Sequence, residues 1–213
     1  MLRKNNFKQF NNIPFSHGAL LSLLQSYKRP NDKISRMLAN GEILKIKRGL
    51  YVLSRDYQTA PVSKPLLANL IYGPSYVSLD FALSYYGLIP EGVFELSSMT
   101  PKRAKCYDTP LGRFSYTHSF KSLYGIGIVS ETLTDGSHFL IAGPEKALCD
   151  KVVFTRKICV TSVSGMRTFL KDDLRIDLEN LAEFDLSIIS QCCDCGYKVR
   201  QLKALYQVVE AGP

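Results

Sequence analysis

Asn31-Asp32-Lys33-Ile34-Ser35-Arg36-Met37-Leu38-Ala39-Asn40-Gly41-Glu42-Ile43-Leu44-Lys45-Ile46-Lys47-Arg48-Gly49-Leu50-Tyr51-Val52-Leu53 is the stretch on which the fold turns. An Asx cap at its start, Ile34, Met37 and Leu38 at helical spacing, and Gly41 where a left-handed residue can stop the chain predict one short amphipathic helix. Beyond Gly41 the period changes to two: Leu44 and Ile46 fall on one side of an extended run, Lys45 and Lys47 on the other. Lys47-Arg48-Gly49-Leu50 then turns the chain back into Tyr51-Val52-Leu53. A helix is thus followed at once by a hairpin with a basic tip. The helix offers Asn31, Lys33, Ser35, Arg36 and Asn40, and the hairpin Lys45, Lys47 and Arg48. This is the order of parts in a winged helix-turn-helix, whose helix enters the major groove while its wing touches the neighbouring backbone.

Upstream, Ser16 is a plausible N-cap, and Leu20, Leu21, Leu23 and Leu24 predict a supporting helix over 17–26, broken by Lys28-Arg29-Pro30. Phe7, Phe10 and Ile13 belong to a short first helix or an arm. His17 falls in the first turn of the supporting helix, where an exposed or cap-associated role is expected. The charge distribution agrees with a polyanionic partner for this segment: residues 1–56 carry 11 Lys and Arg against 3 Asp and Glu, whereas the remaining 157 residues carry 16 of each. Lys28 and Arg29 join the candidate DNA contacts on that ground.

The rest of the 213 residues reads as one further unit. Residues 57–65, with Pro61 and Pro65 and little periodicity, predict a linker between a 1–56 DNA-binding domain and a 66–213 α+β domain. In the latter, Leu66 to Ile71 predicts a helix stopped by Gly73-Pro74. Ser78 caps a second carrying Leu79, Ala82, Leu83 and Tyr86, with Gly87 ending it. Extended runs at 93–96, 113–118, 126–133 and 138–142, with turns at Thr109-Pro110-Leu111-Gly112 and Thr134-Asp135-Gly136-Ser137, predict a small antiparallel sheet. Pro144 and Glu145 suit the first turn of a helix. Met166, Phe169 and Leu170, then Leu178, Leu181 and Ala182, then Val199 to Val209 predict a helical C-terminal part. The fold class is α+β, with no repeats and no low-complexity tract.

Other classes find less support. No run of about 18 apolar residues is present to span a membrane, and no apolar segment follows the basic N-terminus as in a secretory signal. A cytoplasmic location is expected. The cysteines (Cys106, Cys149, Cys159, Cys192, Cys193, Cys195) include one close cluster, Cys192-Cys193-Asp194-Cys195, with no second pair and no histidine in the same segment, so neither zinc nor disulfides are expected and the thiols read as structural. His118 and His138 have no Ser or Cys at a catalytic spacing, and Gly125-x-Gly127 lacks the rest of a phosphate loop. No enzyme, cofactor or metal site is expected. The alternatives are a protein-protein module without DNA binding, or a nuclease or nucleotidyl-transferring enzyme.

Three blocks in order, Ile43 to Tyr51, Pro74 to Pro90 and Ala142 to Asp150, closely resemble the AbiEi family of antitoxins and transcriptional regulators. These belong to type IV toxin-antitoxin systems linked to abortive phage infection in bacteria. The resemblance covers residues 13–160 most strongly. It implies a winged helix that binds inverted repeats in its own promoter, and a C-terminal domain that neutralises a nucleotidyltransferase-like toxin and assists repression. It also implies that Lys45, Lys47 and Arg48 belong to the DNA-binding domain, and it transfers no catalytic residue. Tyr76, Tyr85 and Tyr86 are expected in packing contacts. Glu145, Lys146 and Asp150 are read as a helix start, with a partner-facing patch as the other possibility.

Overall fold

A computed structural model describes residues 10–156 and 160–212. Phe7, Cys159 and the basic residues Arg3, Lys4 and Lys8 lie outside the described residues. Among the described residues the protein is mixed α and β with two sheets, one of them a three-stranded antiparallel sheet. That smaller sheet comprises β1 (Phe15–Ser16), β2 (Ile43–Lys47) and β3 (Leu50–Leu53) in the order β1-β3-β2. It holds α1 (His17–Leu23) and α2 (Pro30–Ala39).

Local chemistry sets these elements. The Ser16 hydroxyl accepts the Ala19 amide at 3.1 Å and caps α1. Helix α2 opens differently from the Asx cap expected: Pro30 occupies its first turn, and Arg29, the capping residue, makes no side-chain cap bond. Proline's fixed φ and missing amide hydrogen suit that position, so the residue read as a breaker is a starter. The helix ends as expected on Gly41, at φ +67. The Gly41 amide bonds Leu38 O and the Glu42 amide bonds Met37 O, which closes the last turn. Arg48-Gly49 forms the two-residue hairpin turn, with Gly49 at φ +82.

Helices α3 (Lys64–Ile71) and α4 (Leu79–Tyr85) flank β4 (Tyr76–Val77), and β5 (Leu96–Thr100), β6 (Lys105–Thr109) and β7 (Gly112–His118) follow. Then come α5 (Lys121–Tyr124), β8 (Ile128–Thr132), β9 (His138–Ala142) and α6 (Pro144–Phe154). The C-terminal part holds α7 (Val163–Thr168), α8 (Leu186–Asp194) and α9 (Val199–Ala211). The predicted small antiparallel sheet is instead six-stranded and mixed, in the order β6-β7-β5-β4-β9-β8, with β5 parallel to β7 and β4 parallel to β9. Two of its strands carry no clear sequence signal: β4 has two residues, and the edge strand β6 is largely polar. The run at 93–96 contributes only Leu96 to β5, and Phe94 is 95% exposed. Between Leu178 and Leu181 lies a 3-10 turn rather than a full helix, and α8, not anticipated, buries Ile189 and Cys192.

Two cores meet on the hairpin. Phe15, Leu20, Leu24, Ile34, Met37, Ile43, Tyr51 and Leu53 form the smaller one, while Ile46, Leu50 and Val52 belong to the larger core of the body. Strand β3 is therefore buried on both faces. A side-chain bond from Asn12 to Asp135 (2.8 Å) adds a second contact between the N-terminal part and the body. There the Ser137 hydroxyl and amide, with the Asn12 amide, hold the Asp135 carboxyl below the usual carboxylate range.

Gly127 is the tightest backbone position. At φ +59, a Cβ would lie 2.8 Å from Lys146 Cβ and 3.0 Å from Ile188 Cγ2. Gly127→Ala should cost about 2–4 kcal/mol, overpacking and left-handed strain together, read from the urea unfolding midpoint. A loss under about 1 kcal/mol would mean that α6 can retreat from the loop.

Candidate nucleic-acid interface

Ile34 and Met37 face the small core, so the opposite side of α2 is left to solvent. Ser35, Arg36 and Asn40 are exposed on it, and Lys33 is half-buried. Lys28, Arg29, Lys33 and Arg36 line one concavity with Tyr27 and Asp32. Four cations share that concavity with one carboxylate, and the Asp32 contact with Arg29 is long (3.7 Å) and solvent-exposed. Such a pair contributes little and leaves the guanidinium available. Asn31 is exposed in the first turn of α2, and its carbonyl accepts the Ser35 hydroxyl at 3.0 Å. Asn40 spends an amide hydrogen on Glu42 at 3.2 Å. Arg36 is exposed and takes no side-chain partner among the described residues, so its five donors are open to a ligand.

Lys45 and Arg48 are exposed on the hairpin, but Lys47 departs from the expected alternation. A register break lies between Lys45 and Lys47: Lys45 stands opposite Tyr51, which packs in the small core, and Lys47 opposite Leu50, which packs in the large one. Such an irregularity re-aims the side chain. Lys47 Nζ consequently donates to Ile71 O at 2.5 Å and Leu70 O at 3.2 Å, where the end of α3 presents unsatisfied carbonyls. Burial lowers its pKa, and neighbouring Lys102 and Lys105 push it the same way.

Those two lysines are what sequence reasoning missed. Lys102, Arg103 and Lys105 are exposed where β5 passes into β6. Lys102 Nζ donates to Gly73 O at 2.6 Å and lies 5.4 Å from the Tyr72 ring centroid. Lys105 Nζ lies 4.8 Å from that of Tyr107. The signal was the run Lys102-Arg103-Ala104-Lys105, hidden by a body whose charge sums to zero. Acids balance it elsewhere: Asp80, Glu91, Glu95 and Asp173 line a separate concavity beside Phe94.

No family model matches the chain, and no curated protein matches it. The chemistry of the site therefore rests on its own geometry.

The third block does not form a partner-facing patch. Lys146 and Asp150 are fully buried and Glu145 is 9% exposed. Lys146 Nζ donates to Asp150 Oδ1 at 2.7 Å and to Leu123 O at 2.9 Å, and Asp150 Oδ2 accepts the hydroxyls of Tyr76 and Ser78. Glu145 accepts the Asp185 amide. A site closed to solvent cannot meet a partner, so this network reads as architecture. Of the tyrosines, Tyr76 is buried, Tyr86 half-buried and Tyr85 47% exposed. Among the described residues no group of His, Cys, Asp and Glu is placed to hold a metal, and no helix is long and apolar enough to cross a membrane.

Proposed function

We propose that the protein is a sequence-specific DNA-binding transcriptional regulator whose α1, α2 and hairpin act as a winged helix-turn-helix. In this reading α2 lies in the major groove, Arg36 grips a guanine edge with its planar fork, and Lys45 and Arg48 rest on phosphates. Lys28, Arg29 and Lys33 add phosphate contacts from the concavity at the start of α2. The AbiEi resemblance extends the proposal to an autorepressor and antitoxin of an AbiE-like system, with promoter inverted repeats and a nucleotidyltransferase-like toxin as partners. The observation that carries the reading is the clustering of four cations in one concavity on the face of α2 that the core leaves open.

A gel shift with the DNA upstream of the protein's own gene, titrated with salt, tests it. Five phosphate contacts, from Lys28, Arg29, Lys33, Lys45 and Arg48, correspond to a slope of log K against log salt of about −4.5. Absent or salt-insensitive binding would favour a protein-protein module instead.

A further inference from the structure

Strands β5 and β7 run parallel and end side by side, with Thr100 opposite His118. In open sheets with parallel strands, ligands settle in the crevice beyond the carboxyl ends, where the chain departs to either side. Here the chain leaves through Pro101 and through Ser119, and an open cavity of about 950 Å³ lies beside them, lined also by Tyr197 from the α8–α9 connection. Its size falls within the usual range for small-ligand sites.

The lining combines two chemistries and no carboxylate. His118, Lys121 and Ser122 are its polar side chains nearest solvent. Lys102 O lies 2.9 Å from His118 Nδ1; since a carbonyl can only accept, Nδ1 carries the proton, and Nε2 has no partner among the described residues. Lys121 is exposed and takes no partner among the described residues. Ser122 is spent on Cys195 O at 3.1 Å, which ties α5 to the end of α8. The apolar side is aromatic: Phe120 lies parallel to Tyr197, ring centroids 3.4 Å apart, and packs on Phe154. Tyr197 stays 41% exposed and can carry a further planar ring.

We propose that this cavity binds a nucleoside monophosphate, its base stacked on Tyr197, its phosphate held by Lys121, and a sugar hydroxyl donating to His118 Nε2. The ring needs a π face, which Tyr197 offers, and the dianion needs a cation, which Lys121 supplies, in a cavity free of acids. This site is separate from the proposed DNA contacts and does not depend on them.

Calorimetry on the whole 213-residue chain with AMP, adenosine and inorganic phosphate tests the assignment. AMP should bind, with adenosine and phosphate each weaker by at least about tenfold, since one base stack or one charged contact is worth that much. Lys121→Ala should bring AMP down to the affinity of adenosine and leave adenosine unchanged. Tyr197→Ala should weaken both by roughly tenfold. Only three histidines are present, so the His118 imidazole can be followed by NMR, and its resonances should move with AMP in the wild type. Because Lys121 is exposed, its variant keeps the fold, and an unchanged melting temperature verifies this. No binding of AMP at millimolar concentration, AMP affinity equal in wild type and both variants, or phosphate binding as tightly as AMP would each overturn the proposal.

Discussion

Asp150→Ala is expected to lower the unfolding free energy by about 3–5 kcal/mol, because it strands a buried ammonium. Lys146 is fully enclosed, and with Asp150 gone its charge would keep one hydrogen bond, to Leu123 O, and the Tyr76 ring 5.7 Å away. Tyr76 and Ser78 would lose their acceptor at the same time. Burial pushes the Asp150 carboxyl up in pKa, against the opposing pull of Lys146, Ser78 and Tyr76. The carboxylate therefore carries a desolvation cost of its own, and the damage comes from the partner left behind. For a chain of this size the loss corresponds to a melting temperature lower by roughly 10 °C. Replacing the cluster together, as Tyr76→Phe, Lys146→Met and Asp150→Leu, should recover most of it. The freed Ser78 hydroxyl can then turn to the first turn of α4, which it precedes without capping. Denaturant midpoints of the single and triple variants decide the matter; a single-variant loss below about 1 kcal/mol would mean that the pair is compensated from elsewhere.

On the proposed function, Arg36→Ala should weaken binding to the protein's own upstream DNA by about 10–100-fold and binding to random DNA far less, the signature of a base contact. Lys45→Ala and Arg48→Ala should weaken both DNAs alike and reduce the salt slope by about 1 each. Alternation along β2 puts Lys47 in the same class, yet its ammonium is committed to the carbonyls at the end of α3. Lys47→Ala should therefore leave the slope unchanged and show its cost in stability, at the seam between hairpin and body. Slopes measured for the three lysine and arginine variants separate these roles. A flattened slope for Lys47→Ala would mean that the ammonium leaves α3 for a phosphate when DNA binds, and equal losses on both DNAs for Arg36→Ala would remove its base-reading role.

The success of local reading has a physical pattern. Ser16, Gly41, Gly49, Gly87 and Pro144 act within a few residues of themselves, through a cap, a left-handed φ or a fixed one, so their elements were legible. The hairpin β8–β9 was legible for the same reason, its turn lying between two alternating runs. Strand β4, by contrast, is held by Met99 and Ser98 on one side and Ile141 on the other. Two residues cannot advertise such a pairing. Helix α8 carries Ile189 and Cys192 at helical spacing, a period masked by its run of cysteines; Cys192, like Cys149 on α6, is simply buried in the core. The exposure of Arg36, Lys45 and Arg48 was likewise legible, but that of Lys47 was not, and Lys102, Arg103 and Lys105 become neighbours of the hairpin through proximity across the fold and not spacing along the chain.

By itself the sequence determined the helix, the hairpin and the basic excess of residues 1–56, since caps, turn residues and charge need no distant partner. Only the tertiary structure decided that β3 is covered on both faces, that a register break sends Lys47 into the body, and that Lys146 and Asp150 meet inside it. Each of these depends on groups far apart in the chain sharing one desolvated space, where an unpaired charge or carbonyl is costly enough to choose its own partner.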